Sequence, residues 1–217
     1  MGSAGFLQQH IRLKHRKIGF IGHSEGGLIG AIAAANNPDI DFLVSLAGPG
    51  TRGAQILIDQ SYYIQKLCGV SVTELTASDL AQREIMQAIS DDAEAKSLLA
   101  LLLKHGMTQE QANTQLSQLT SPWFRFFVKA QPADYLANVT APILALNGEL
   151  DSQVLADANL NGILQATNHR ATIKKLAGLN HLFQPALTGL PSEYSESDIT
   201  FSESSADEIS QWIVSLK

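Results

Sequence analysis

Six residues constrain this chain more than any other stretch: Gly22-His23-Ser24-Glu25-Gly26-Gly27 lies between a short apolar run and an alanine-rich one. Lys17-Ile18-Gly19-Phe20-Ile21-Gly22 reads as a strand stopped by glycine, and Leu28 to Ala35 reads as a helix ended by Asn36-Asn37-Pro38. A strand that becomes a helix across so tight a turn forces the residue at its tip into a strained conformation, and glycine at 22 and 26 is expected to relieve the crowding on both sides. Gly27 is expected to let the helix pack closely on the sheet. The pattern is G-x-S-x-G, and Ser24 at the tip gains an exposed hydroxyl, the positive end of a helix, and the amide N–H of Glu25 as a donor to a developing oxyanion.

The αβ rhythm extends in both directions. Asp41 to Leu46 supplies a second strand, Pro142 to Gly148 a third and Ala171 to Leu176 a fourth, with helices over Asp157 to Gln165 and Ser205 to Leu216. Strands alternating with helices predict an α/β fold, a mostly parallel sheet with helices on both faces. Between Gln55 and Leu136 the patterning is helical only, over Gln55–Leu67, Ala77–Ser90, Asp92–His105, Thr108–Leu119 and Pro122–Lys129. The domain reading is therefore a core over 1–54 and 137–217 with a helical insertion over 55–136. Phe6 to Ile11 reads as the end of a helix followed by a basic cluster, and Ser192 to Ser205 as a polar loop.

A serine hydroxyl is a poor nucleophile until a histidine takes its proton and a carboxylate holds that histidine in the right tautomer. With a strand–turn–helix serine the chain order is Ser, acid, His, each at the carboxyl end of a strand. Asp151 follows the third predicted strand and His181 follows the fourth. Glu149 and Asp157 are rival acids. His169 is the rival base, but it precedes its strand, at the wrong end of the sheet. His23, inside the turn, is expected to pack or cap. Leu28, Ile56, Ile64, Trp123, Phe124, Phe126 and Phe127 are candidates for an acyl pocket, with ordinary helix packing as their plainer reading.

Composition closes other classes. The 217 residues carry 15 Lys+Arg against 21 Asp+Glu, a net charge of −6 with no basic stripe, so a nucleic-acid partner is not expected. With one cysteine there is no internal disulfide and no multi-cysteine metal site, and Cys68 is expected as a small core residue. No paired-histidine metal spacing, nucleotide, flavin or haem fingerprint appears, so neither metal nor cofactor is expected. No apolar run has the roughly 18 residues of a membrane span, and no export signal shows in Met1 to Lys17, so a soluble protein is expected, cytoplasmic by default and secreted or periplasmic if the natural start lies upstream.

With Gly22 to Gly27, Gly148-Glu149-Leu150-Asp151 and Gly178-Leu179-Asn180-His181 together, the chain resembles the α/β-hydrolase superfamily, and more narrowly the bacterial carboxylesterases near the dienelactone hydrolase and prolyl oligopeptidase-like branches. The resemblance implies Ser24 as nucleophile, Asp151 as orienting acid, His181 as base, residues 55–136 as a cap over the acyl pocket, and a small-molecule ester as substrate. A peptidase, an acyl-CoA thioesterase or a catalytically impaired fragment are the alternatives. Members of this superfamily place further strands, and a loop donating a second oxyanion N–H, ahead of the serine turn. This chain has only a short stretch there, so it is expected to be an N-terminally truncated core, with an open strand edge at Lys17–Ile21 through which two copies would pair.

Overall fold

The computed structural model describes residues 16–216; the helix end expected over Phe6 to Ile11 lies outside them. Four strands form one sheet in the order β1 (Gly19–His23), β2 (Phe42–Leu46), β3 (Ile143–Gly148) and β4 (Thr172–Leu176), every neighbouring pair parallel. Each predicted strand is present within a residue or two. β2 and β3 are buried along their whole length, as strands covered on both faces must be, and this is why their sequences run apolar rather than alternate.

Residue contacts divide the chain into two units, one made of the residues up to Thr51 and from Pro132 onward, the other Arg52–Gln131. In the first unit the sheet sorts its side chains by the two-residue period of a strand. Leu43, Ile143 and Ala145 face a cluster completed by α1 (Glu25–Ala35), α7 (Pro132–Leu136) and α8 (Ala156–Ala166) through Ala31, Leu136 and Leu160. Val44, Leu46, Leu144 and Leu146 face the opposite cluster, closed by Ile209 of α9 (Glu203–Ser215) and by Leu179 and Phe183 of the loop after β4. Leu136, which the expected boundary grouped with the helical segment, is 2% exposed inside the first of these clusters.

The second unit is helical, with α2 (Gly53–Leu67), α3 (Val72–Ser90), α4 (Ala95–Lys104), α5 (Gln109–Leu119) and α6 (Pro122–Lys129). Its own core gathers Ile58, Ile85, Ile89, Leu98, Leu102, Phe124 and Val128. Capping boxes open α3 at Ser71 with Glu74 and α5 at Thr108 with Gln111, each satisfying two donors that a bare helix end leaves open. The helix start expected at Asp92 is displaced: Asp92 has φ 59°, the N-cap is Glu94, and Asp92 pairs instead with Lys129 and Arg125. Cys68 corrects another expectation. It is exposed, because it caps the last turn of α2 just before the left-handed Gly69 (φ 78°) carries the chain away. The segment expected as a loop, Ser192 to Ser205, overlaps a 3-10 turn over Pro191–Ser195 at its start and the first turn of α9 from Glu203 at its end.

The two sheet edges differ. Lys174 and Lys175 stand on β4 and pair with Glu208 and Asp157, and lysine on an edge discourages pairing with another chain. β1 carries no such charge, and Ile21 is 56% exposed. Among the described residues no helix is long and apolar enough to cross a membrane.

Candidate active site

β1 ends at His23 and α1 begins at Glu25, so Ser24 alone makes the turn, at φ 54° and ψ −125°. Non-glycine residues avoid this region, and its cost is met by surrounding contacts. One of these is the Ser24 N–H, which donates to the Leu46 carbonyl at 2.8 Å and ties the tip to the end of β2. A Cβ on Gly22 would lie 2.1 Å from the Gly26 carbonyl oxygen, so only glycine fits there. Gly26 itself has open space on its Cβ side; the crowding expected at both glycines falls on Gly22 alone, since the helix turns its Gly26 carbonyl, not its Cβ, toward the strand. Gly27 lies where a Cβ would be 2.7 Å from Ser45 Oγ and 2.9 Å from the Gly48 Cα, which is the close helix-on-sheet approach. Glu25 is the first residue of α1, with its amide at the positive end of the helix.

Asp151 and His181 meet. The imidazole Nδ1 lies 2.8 Å from Asp151 Oδ2, and both side chains are almost wholly buried, 5% and 0% exposed. A carboxylate accepts, so Nδ1 carries the proton and Nε2 is left as the acceptor. Asp151 Oδ1 accepts the backbone N–H groups of Gln153 and Val154, each at 2.8 Å. Three donors thus hold one carboxylate in a single orientation. The rival acids go elsewhere. Glu149 accepts from the Gly178 N–H at 3.3 Å, and Asp157 pairs with Lys175. His169 is exposed in the turn before β4.

The loop carrying His181 is itself fastened at several points. Asn180 Oδ1 accepts the N–H groups of Leu182 and Gln184, an Asx turn that fixes the chain around residue 181. Phe183, fully buried at φ 60°, pins the loop beneath Phe201. A Cβ on Gly148 would lie 2.3 Å from the Leu179 carbonyl oxygen and 2.5 Å from that of Asn180, so the loop runs directly over the end of β3. His23 Nε2 lies 2.8 Å from the His181 carbonyl oxygen, and the two imidazoles are 4.7 Å apart. Although the residue is exposed by surface area, desolvation of the ring where it meets the His181 loop lowers the His23 pKa from its usual 6.5, with the nearby His181 ring acting in the same direction. Sequence reasoning missed Asn180 and this use of His23. An asparagine just before the histidine was a signal for the first; the second has no local signal.

No hydrogen bond joins the Ser24 hydroxyl to His181 among the described residues; such bonds are often long before substrate binds. The contact between the turn and the His181 loop is made by the neighbour of Ser24, residue 23, whose ring lies 4.7 Å from that of His181. Of the residues considered for an acyl pocket, Leu28, Ile56 and Phe124 are buried, Phe124 in the core of the helical unit, while Trp123 and Phe126 are 52% and 42% exposed. Among the described residues no group of three or more His, Cys, Asp or Glu side chains is placed to hold a metal ion.

Solved structures are similar to this chain at low identity. VinJ is 13% identical with a TM-score of 0.50, over 98% of this chain and 70% of that one. An esterase, RhEst1 from Rhodococcus sp., is 17% identical over 91% of this chain, TM-score 0.44, and a putative dienelactone hydrolase from Klebsiella pneumoniae is 16% identical over 98%, TM-score 0.47. The chain spans only 65% and 56% of the length of those last two proteins. No curated protein sequence matches it. A family model described as BAAT / acyl-CoA thioester hydrolase C terminal matches residues 2–113, just over half of the 217 and a span that includes the whole β1–Ser24–α1 turn. With an α/β-hydrolase sheet behind that turn, the chain belongs to the BAAT / acyl-CoA thioester hydrolase C-terminal family.

Proposed function

We propose that this chain is the catalytic part of a serine hydrolase that cleaves activated acyl compounds through an acyl-enzyme. Ser24 Oγ attacks the acyl carbonyl as His181 Nε2 takes its proton, and Asp151 keeps the other ring nitrogen protonated and steadies the imidazolium. The Glu25 N–H receives the oxyanion. Collapse expels the alcohol or thiol, which leaves with the proton from His181. Water then gives a proton to His181 and attacks the ester, and Ser24 departs with that proton, restoring the starting state.

One observation carries this reading: the buried Asp151–His181 bond of 2.8 Å, with Asp151 also held by two amides. A histidine oriented this way presents a free basic nitrogen, which a merely structural histidine has no need of. Two leaving groups are in view. Carboxylic esters follow from the motifs; thioesters are supported by the family to which the chain belongs. A thiolate leaves more readily than an alkoxide, so the same serine machinery serves both.

The test is labelling with a fluorophosphonate probe, alongside turnover of p-nitrophenyl acetate and of a short-chain acyl-CoA. Labelling of the parent and none of Ser24→Ala is expected, with turnover of at least one substrate. A folded protein that takes no label and turns over neither would overturn the reading in favour of an inert fragment.

A further inference from the structure

We propose that His23 is a positioning residue, whose ring N–H grips the backbone carbonyl of His181 and so sets where the His181 imidazole stands relative to the Ser24 hydroxyl. The inference rests on the roles given to Ser24 and His181 above. It starts from a topological problem. Ser24 follows β1 and His181 follows β4, and these are the two outer strands of the sheet. At about 4.8 Å per strand, three spacings separate their ends by roughly 14 Å. The β4 loop closes part of this by running over the end of β3, where Gly148 leaves room for the Leu179 and Asn180 carbonyls. The remaining link to β1 is made by His23.

The chemistry of that link is specified. The distance is 2.8 Å from Nε2 to the His181 oxygen, and a carbonyl only accepts, so Nε2 carries the hydrogen. Residue 181 is then held from two sides, its ring by Asp151 and its backbone by His23. His23 directly precedes Ser24, so the same strand end that positions the hydroxyl positions its partner. A ring at this site also packs on His181 at 4.7 Å and meets Phe183 edge-on at 6.3 Å. Packing needs only a ring; positioning needs the donor.

Two substitutions separate these roles. Phenylalanine keeps the ring and loses the N–H, whereas glutamine loses the ring but carries an amide nitrogen about as far from Cβ as Nε2. For His23→Phe, kcat on p-nitrophenyl acetate and the rate of fluorophosphonate labelling are expected to fall roughly tenfold or more, with KM little changed. His23→Gln is expected to recover most of the loss. If His23→Phe does not fold, His23→Asn, whose amide nitrogen stops short of the carbonyl, takes its place with the same expected loss. A His23→Phe enzyme as active as the parent, or one more active than His23→Gln, overturns the proposal, since the ring rather than the donor would then matter. A folded parent that neither labels nor turns over substrate removes the Ser24–His181 reading itself, and His23 with it; a labelling parent with an unaffected His23→Phe removes His23 alone.

Discussion

Replacing Asp151 by asparagine changes one atom's hydrogen-bonding character and nothing of size. In the parent, Oδ1 receives the Gln153 and Val154 N–H groups at 2.8 Å and Oδ2 receives His181 Nδ1–H at 2.8 Å. An asparagine has two ways to sit. With its NH₂ toward residues 153 and 154 it faces two buried donors, each clash leaving groups unsatisfied at a cost of about 1–3 kcal/mol. With its NH₂ toward His181 it satisfies both amides, but Nδ1 must then accept, so the ring proton moves to Nε2. The base is then blocked at the atom that must receive the serine proton, and the imidazolium loses its counter-charge. In serine enzymes this tautomer error lowers kcat by about 10⁴, or roughly 5.5 kcal/mol at 1.36 kcal/mol per tenfold. The expected result is a loss of that order in p-nitrophenyl acetate turnover and in the fluorophosphonate labelling rate. The lost charge-assisted bond, worth about 1.5–3 kcal/mol, should lower the melting temperature by several degrees to about ten for a chain of this size. An Asp151→Asn protein that turns over within tenfold of the parent refutes the argument, because the orienting role would then lie with another group.

Four further outcomes are expected. Gly22→Ala places a methyl 2.1 Å from the Gly26 carbonyl and should cost about 1–3 kcal/mol or more through overpacking, read as a fall in urea midpoint; Gly26→Ala, in open space, should be far milder. Phe183→Ala empties a fully buried site under the His181 loop and is expected to destabilise by about 3–5 kcal/mol, with labelling of Ser24 lost before global unfolding; equal stability by thermal melt would contradict the burial. Desolvation holds the His23 pKa below the ordinary 6.5, so below about pH 6.5 the unfolded chain takes up a proton there that the folded chain resists. Its contribution to stability therefore declines as pH falls below about 6.5, and His23→Gln should flatten the stability profile there. The uncharged β1 edge, with Ile21 56% exposed, should pair copies of the chain, so light scattering at micromolar concentration is expected to report a dimer or larger; a monodisperse monomer would rule this out.

The difference between what the sequence disclosed about this site and what it hid is one of range. Asp151 and His181 were legible because each sits just past a recognisable strand, and in a parallel sheet the carboxyl ends of all strands lie on one rim. Chain order and strand order then place two distant side chains together without any coordinates. Gly22 was legible for the same kind of reason, a local turn too tight for a Cβ. Gly26 misled because a pattern read in one dimension treats the two flanking glycines alike, whereas the helix presents a backbone carbonyl to one and nothing to the other. Cys68 misled because small apolar character says burial on average, but a helix end decided its place.

His23 marks the limit of such reading. Nothing in its neighbours foretells a bond to a carbonyl at residue 181, because that bond depends on how far the β4 loop travels over β3, and that distance is set by the absence of a side chain at Gly148. Two residues remote in sequence, one glycine and one histidine, therefore act on the same loop: the first admits it over the sheet and the second stops it at β1. If this is the order of cause, Gly148→Ala should disturb the site in the same way as loss of the His23 donor, by displacing Leu179 and Asn180 and drawing the His181 carbonyl out of reach of His23. The double variant Gly148→Ala/His23→Phe should then lose little more activity than the worse of the two single variants, since both break one connection. Losses that multiply would show that the two residues act independently, and the bond across the rim would have to be explained without the loop.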